Sequence, residues 1–319
     1  MSPPISRAIP LAVAALVLLA GGTGGAWWYA HRPVHQHLSL YYADPQGRVL
    51  VPVEQDVDFE RPDAPGPWAQ ALFQKLATAP QASLIPAVGS RMTLVDAAWS
   101  PPQWTLTVKL PSTSGTTTET ILAGALVRSY VDSYPGAKKV RLHLVGDDNK
   151  PFAGQHLDLS EALTPAEFAN QSEAAPGASS VSATLWWQTK GGGELVPVKL
   201  PLTGGSGIPP RDAFEKLLAG PPAQAATFLE PVAPKGLVAK WAKLDGDVAQ
   251  IDLDADLPKD AAAERFVKAT VLTLTEFPTV KAVRFWRHDA PAAGTAGPFD
   301  LSKPIARPAG ANTASTKGP

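Results

Sequence analysis

The four residues Leu50-Val51-Pro52-Val53 occur a second time, as Leu195-Val196-Pro197-Val198. No other feature limits the fold as tightly, because the elements around the two copies recur in the same order. Each copy follows an aromatic pair on a short apolar run, Tyr41-Tyr42 in the first and Trp186-Trp187 in the second. Each precedes a helix-like segment that stops at a proline, Leu72 to Pro80 and then Ala213 to Pro221. The period matches one domain rather than one solenoid coil, so the chain reads as two sister domains.

A chain of 319 residues has room for two such domains and extra segments. With 28 basic and 29 acidic residues, nothing supports broad electrostatic binding, and no nucleic-acid partner is expected. Cysteine is absent, which excludes a disulfide framework, a thiolate metal site, a cysteine nucleophile and a lipidated cysteine anchor.

Residues 8–30 run without a charge and are long enough to cross a hydrocarbon core of roughly 30 Å as a helix. Leu11, Leu16, Leu18 and Leu19 make its apolar body, and Trp27 and Trp28 sit where an interfacial belt forms. The expectation is a retained signal anchor with the soluble body outside the cytoplasm. The competing reading is a cleaved signal peptide with Leu11 to Ala20 as its apolar heart. Residues 1–36 are therefore read as anchor and spacer.

In repeat one, residues 37–163, Leu38 to Tyr42 and Val49 to Val53 alternate as strands across an Asp44-Pro45-Gln46-Gly47 turn. Pro67 opens a helix carrying Trp68, Leu72 and Leu76 on one face. Strands follow at Met92 to Trp99 and Thr105 to Leu110. A second helix, with capping-box spacing at Thr116 and Glu119, ends at Tyr134-Pro135-Gly136, and Val140 to Leu144 is a last strand. Residues 164–182 lack periodicity and read as a linker with one helical turn near Ala166 to Asn170. Repeat two, residues 183–305, retraces the first. A helix opens at Pro209-Pro210 and stops at Gly220, strands lie at Leu237 to Trp241 and Val248 to Leu253, and a long helix runs from Ala261 to Phe277. Residues 306–319 are expected to be a disordered tail.

The residues Trp186-Trp187, Leu195 to Val198, Leu217-Leu218-Ala219-Gly220-Pro221, Gln250-Ile251-Asp252-Leu253 and Leu301-Ser302-Lys303-Pro304 resemble the GerMN family of sporulation and spore germination domains. Two copies behind a membrane signal resemble the GerM-like tandem arrangement. Repeat one departs from the pattern at Ala77-Thr78-Ala79 and at Val108-Lys109-Leu110. The resemblance implies small α+β modules similar to the ring-building domains of secretion machines. It also implies a non-enzymatic role in the space between mother cell and forespore, supporting assembly of a channel complex. Partners would be envelope proteins, including channel components, or further copies of the chain.

Residues that carry chemistry give a weaker signal. His31, His35 and His37 form H-x3-H-x-H beside the expected membrane segment, and a solvated spacer is the simpler reading. The chain has no H-E-x-x-H pair or phosphate loop, and Gly204 to Gly207 lacks the form of a nucleophile elbow. The densest acidic cluster is Asp245, Asp247, Asp252, Asp254, Asp256 and Asp260. It favours a solvated strand face, and the alternative it leaves open is an extracytoplasmic enzyme or metal-binding protein. No catalytic residue, metal or cofactor is expected.

One member of each aromatic pair must face inward and the other outward, so Trp186, Trp187, Trp241 and Trp286 are candidate interface anchors. Pro52 and Pro197 remove a ladder donor, which puts their strands at sheet edges where they direct or block edge-to-edge association. The fold expected is α+β. Each of the two tandem domains should be a mainly antiparallel sheet with two helices on one face.

Overall fold

The computed structural model describes residues 34–59, 64–111, 116–152, 157–168, 170, 181–191, 193–202, 207–288 and 290–312. The expected anchor, with Leu11, Leu16, Leu18, Leu19, Trp27 and Trp28, lies outside the described residues. Among the described residues no helix is long and apolar enough to cross a membrane.

Apolar alternation builds a long first hairpin. Strand β1 (Val34–Ala43) pairs antiparallel with β2 (Leu50–Phe59), Val34 opposite Phe59 and Ala43 opposite Leu50. Its turn is held by Asp44, whose Oδ1 accepts from Arg48 N at 2.6 Å and Val49 N at 2.9 Å. Gly47 takes φ 63° there, which a side chain would resist. The hairpin starts earlier than the spacer reading allows. His35 and His37 lie in β1 opposite Asp58 and Asp56, and His37 Nδ1 is 3.0 Å from Asp56 Oδ1. These cross-strand partners extend the strand into the expected spacer.

Helix α1 (Pro65–Leu76) starts two residues before the expected Pro67, since both prolines fit a first turn whose N–H groups are unpaired. It buries Trp68, Leu72, Phe73 and Leu76. Strand β3 (Thr93–Ser100) runs antiparallel to β4 (Gln103–Lys109). Helix α2 (Thr116–Ser133) then crosses over to β5 (Lys139–Val145), which pairs parallel with β4. The single sheet expected for the domain is therefore two pieces, a hairpin and a three-stranded sheet of order β3-β4-β5, with both helices touching each piece. The physical reason lies at the outer edge of β1. Ser129 Oγ of α2 accepts from Tyr41 N at 3.0 Å, and Ser133 Oγ donates to Ser39 O at 3.3 Å. A helix occupies the edge that a wider sheet would need.

The core of this domain is a run of aromatic rings. Trp68 stacks on Phe59 at 5.4 Å and on Trp104 at 5.8 Å between centroids, and Tyr130 and Tyr134 meet it edge-on. Tyr130 is fully buried and its hydroxyl donates to Ala69 O at 2.6 Å, so the polar atom is matched.

Repeat two has the same plan. Strands β6 (Val181–Thr189) and β7 (Leu195–Leu202) form its hairpin, joined by the short β8 (Leu229–Glu230). Helix α3 (Pro209–Ala219) ends at Gly220, whose φ is 91° and whose added Cβ would lie 3.1 Å from Pro231 Cγ. Strands β9 (Ala239–Asp245) and β10 (Val248–Leu253) are antiparallel, and helix α4 (Ala261–Leu274) crosses to β11 (Ala282–Arg287), parallel to β10. Asp260 caps α4, accepting from Ala262 N and Ala263 N. The helix stops at Leu274 instead of Phe277, with Thr275 Oγ1 donating to Val271 O at 2.6 Å. Thr273 Oγ1 accepts from Trp186 N at 3.1 Å, as Ser129 does from Tyr41.

Short pairs finish the chain: β12 (Ala290–Pro291), β13 (Thr295–Ala296), β14 (Phe299–Asp300) and β15 (Ile305–Ala306). The segment expected to be disordered from 306 is placed through Asn312. Strand β15 pairs with β11, and Arg307 Nη2 lies 2.5 Å from Glu276 Oε1. In the expected linker, Pro165–Phe168 forms a 3-10 turn and Asn170 is held by hydrogen bonds, while 171–180 lie outside the described residues.

Replacing Trp68 with alanine removes the ring shared by the aromatic run. The expected loss is about 3–5 kcal/mol, read as a lower urea midpoint with an unchanged m-value for a two-state transition.

Candidate functional site

In a strand the N–H and C=O of one residue point to the same side. On β2 the groups of Leu50, Pro52 and Glu54 point to the edge away from β1, and on β7 those of Leu195, Pro197 and Lys199 point away from β6. These two edges lie beside each other. Proline supplies no N–H at the centre of either edge, so direct strand pairing cannot be completed there.

Two asparagines bridge the gap instead. Asn170, just after repeat one, accepts at Oδ1 from Leu50 N at 3.2 Å. Its Nδ2 donates to Leu50 O and to Pro197 O, both at 3.0 Å, and its main-chain O accepts from Lys199 N at 2.8 Å. Asn312, just after repeat two, does the same from the other side. Its Oδ1 accepts from Leu195 N at 2.7 Å, and its Nδ2 donates to Leu195 O at 2.8 Å and to Pro52 O at 2.6 Å. Its main-chain O accepts from Glu54 N at 2.7 Å. Each side-chain amide uses both donors, and the two sets of bonds are related by a pseudo-two-fold axis.

The hairpin turns continue this symmetry. Arg48 Nη1 donates to Thr227 Oγ1 at 3.1 Å, with its guanidinium 6.0 Å from the Phe228 centroid. On the other side buried Glu194 accepts from Gln81 Nε2 at 3.1 Å and from Ser83 Oγ. The linker turn packs as closely: a Cβ on Gly124 would lie 2.7 Å from Leu50 Cδ1 and 2.9 Å from Phe168 Cδ1.

At the centre of the junction is a cavity of about 370 Å³ lined by Tyr41 and Trp186, by Ser39 and Thr184, and by both prolines. The Tyr41 hydroxyl donates to Asp132 Oδ2 and accepts from Arg128 Nη2, each at 2.7 Å. Burial pushes this phenol above the usual tyrosine range, with Arg128 pulling it back. Burial also raises the Glu54 carboxyl, opposed by Ser39, by His37 and by Lys268 of the sister domain. Burial lowers the Lys268 ammonium, opposed by Glu264 and Glu54.

The residues singled out in the sequence divide among three places. Pro52, Pro197 and Trp186 meet at the junction, and Trp186 Nε1 is buried there without a hydrogen-bond partner among the described residues. Trp187 is fully buried and donates to Leu217 O at 3.2 Å, so its role is in the core. Trp241 packs half-buried against the core. Trp286 is in register with Asp252, on the face opposite the buried pair Ile251 and Phe285, and carries Arg284 at 6.0 Å.

The acidic cluster does not converge. Asp245 accepts from Gln250 Nε2, Asp254 accepts from Val238 N, Asp256 pairs with Arg287 and Asp260 caps α4. Among the described residues no group of three histidines or acids is placed to hold a metal ion. Asn170 and Asn312 gave no sequence signal beyond their shared position just after each repeat.

A family model described as Germane, sporulation and spore germination, matches residues 39–150 and 184–292. Among solved structures, the tandem GerMN domains of the sporulation protein GerM from Bacillus subtilis are similar at a TM-score of 0.58 and 15% identity, covering 88% of this chain and 100% of that one. The first GerMN domain of the same protein aligns over 43% of this chain and 99% of that one, at 16% identity and a TM-score of 0.29. A Clostridium perfringens protein described as a putative lipoprotein aligns over 42% and 93%, at 17% identity and a TM-score of 0.27. No curated protein matches the chain.

Asn170→Ala and Asn312→Ala each leave main-chain groups of both edges unmatched. Each is expected to cost about 1–3 kcal/mol and to speed proteolysis within 171–180 while far-UV circular dichroism stays unchanged. Gly124→Ala is expected to destabilise by about 1–3 kcal/mol through overpacking at Leu50 and Phe168, with the same increase in linker cleavage.

Proposed function

The chain belongs to the Germane family of sporulation and spore germination proteins, and from that premise we propose that it is a membrane-anchored envelope protein that supports assembly of a mother cell–forespore channel complex. It is a GerM-like protein with two tandem domains, and its family is a sporulation-related one rather than a known enzyme class. The role is one of binding, and domain–domain contacts carry it.

The observation behind this reading is the junction itself. Two family domains dock edge to edge through main-chain groups and two asparagines, which is how modules of this fold would associate with one another in an assembly. Of the acidic residues that would serve a hydrolytic or metal-binding role, Asp254, Asp256 and Asp260 are engaged separately in a turn, an ion pair and a cap. Residues 8–30 supply the anchor, since the chain has no cysteine to lipidate. The soluble domains then lie outside the cytoplasm, and their partners are envelope proteins.

Two measurements test this. The full chain should remain with the membrane pellet after carbonate extraction, and a chain lacking residues 1–33 should be released. Release of the full chain would remove the anchor. Affinity capture from sporulating cells should recover channel components, and deletion should impair sporulation. Normal sporulation together with recovery of no envelope partner would overturn the assembly role.

A further inference from the structure

The junction between the two domains is close to self-complementary, and this has a consequence for what else it binds. The hydrogen bonds that form it use main-chain groups at matched positions: Leu50 and Leu195, Pro52 and Pro197, Glu54 and Lys199. Main-chain groups are the same in every residue, so this pattern alone fits domain one to domain two, or either domain to its own kind. It also fits a domain of one chain to a domain of another. Discrimination must come from side chains.

Glu54 is the side chain placed to discriminate. Its main-chain N–H is held by Asn312, and its side chain packs under Gly310, where an added Cβ would meet Glu54 Cγ. Lys268 lies on α4 beside the same segment 310–312, lining a surface depression with Ala311 and Asn312. Each is partly buried, and each favours the charged form of the other. The helix residues that take the aromatic N–H groups, Ser129 and Thr273, set the correspondence between repeats. By that correspondence Lys268 matches Gly124, and Glu54 matches Lys199. Pairing domain one with domain one would leave Glu54 with only His37 of its own hairpin beside it and no lysine opposite. Pairing domain two with domain two would set Lys199 toward Lys268. Only the unlike pair brings an acid to a base.

We propose that the edges Leu50–Glu54 and Leu195–Lys199 are a general docking surface for domains of this kind, that its partner in trans is a second copy of this chain exchanging domains, and that Glu54 facing Lys268 selects the unlike pairing. The proposal stands on the junction and does not depend on the sporulation role.

Complementary charge reversal tests it in the full chain, purified in mild detergent. Glu54→Lys alone sets two ammonium groups against each other across the junction, and Lys268→Glu alone sets two carboxylates against each other. Each variant should open its own junction, read as at least a several-fold faster cleavage in 171–180. A mixture of the two variants restores opposite charges at both intermolecular junctions. One junction carries the reversed pair, contributed by the two substituted domains, and the other carries the parental pair of Glu54 with Lys268. Sedimentation of the mixture should therefore show a one-to-one heterodimer that neither variant forms alone. The double variant Glu54→Lys with Lys268→Glu should return to the closed, protease-resistant monomer, which shows that the substitutions are compatible with folding. A mixture that stays monomeric would overturn docking in trans. Single variants as resistant as the parent chain would overturn the selecting role of Glu54.

Discussion

An edge strand must find partners for its outward N–H and C=O groups, and the arrangement of this molecule follows from that requirement. Each repeat begins with a hairpin that has two such edges. The outer edge of β1 is met by a helix, through Ser129 and Ser133, and by Ile85 at Ala43, and that of β6 by Thr273 of a helix and by the short β8. The outer edges of β2 and β7 are met by each other, with Asn170 and Asn312 between them. Once these four edges are matched, the splitting of each domain into a hairpin sheet and a second sheet, three-stranded in repeat one and five-stranded in repeat two, has a cause. The hairpin cannot extend into the larger sheet, because a helix already holds the edge it would use.

The duplicated proline has a definite place in this scheme. At the centre of each edge it removes one donor and leaves one acceptor. A continuous β2–β7 ladder is thereby prevented, and the asparagine amide, which carries two donors and an acceptor, fits the remaining pattern. Fusion into one sheet would have left no gap. The gap is the cavity of about 370 Å³. Tyr41 and Arg128 line it from one side and Trp186, Lys199, Glu276 and Arg307 from the other, so both halves of the junction bring an aromatic ring and charged groups to it.

Much of this was legible in local pattern. Repetition of Leu-Val-Pro-Val gave two domains, proline at a strand centre gave edge strands, and the i, i+4, i+8 spacing of Trp68, Leu72 and Leu76 gave α1 and its buried face. The boundaries that moved did so for reasons outside the local window. Val34 joins β1 because Phe59 is opposite it, and 306–312 are ordered because β11 and the two edges hold them. The junction was half legible. Pro52 and Pro197 pointed to edges, but Asn170 joins groups 120 and 27 positions away and Asn312 groups 117 and 260 away, from segments with no periodicity. The tryptophans misled for a related reason. Aromatic alternation shows that one of each pair leaves the core, but it does not show that the place Trp186 reaches is filled by a sister domain.

Asn312 closes the first domain from nearly the far end of the chain, and this sets an order of events during synthesis. Asn170 emerges with repeat one and can dock on Leu50 at once. Pro52 O and Glu54 N wait for a residue made some 140 positions later, a delay on the order of ten seconds at bacterial elongation rates. Throughout that interval the first domain carries a half-satisfied edge next to every other nascent copy on the same message.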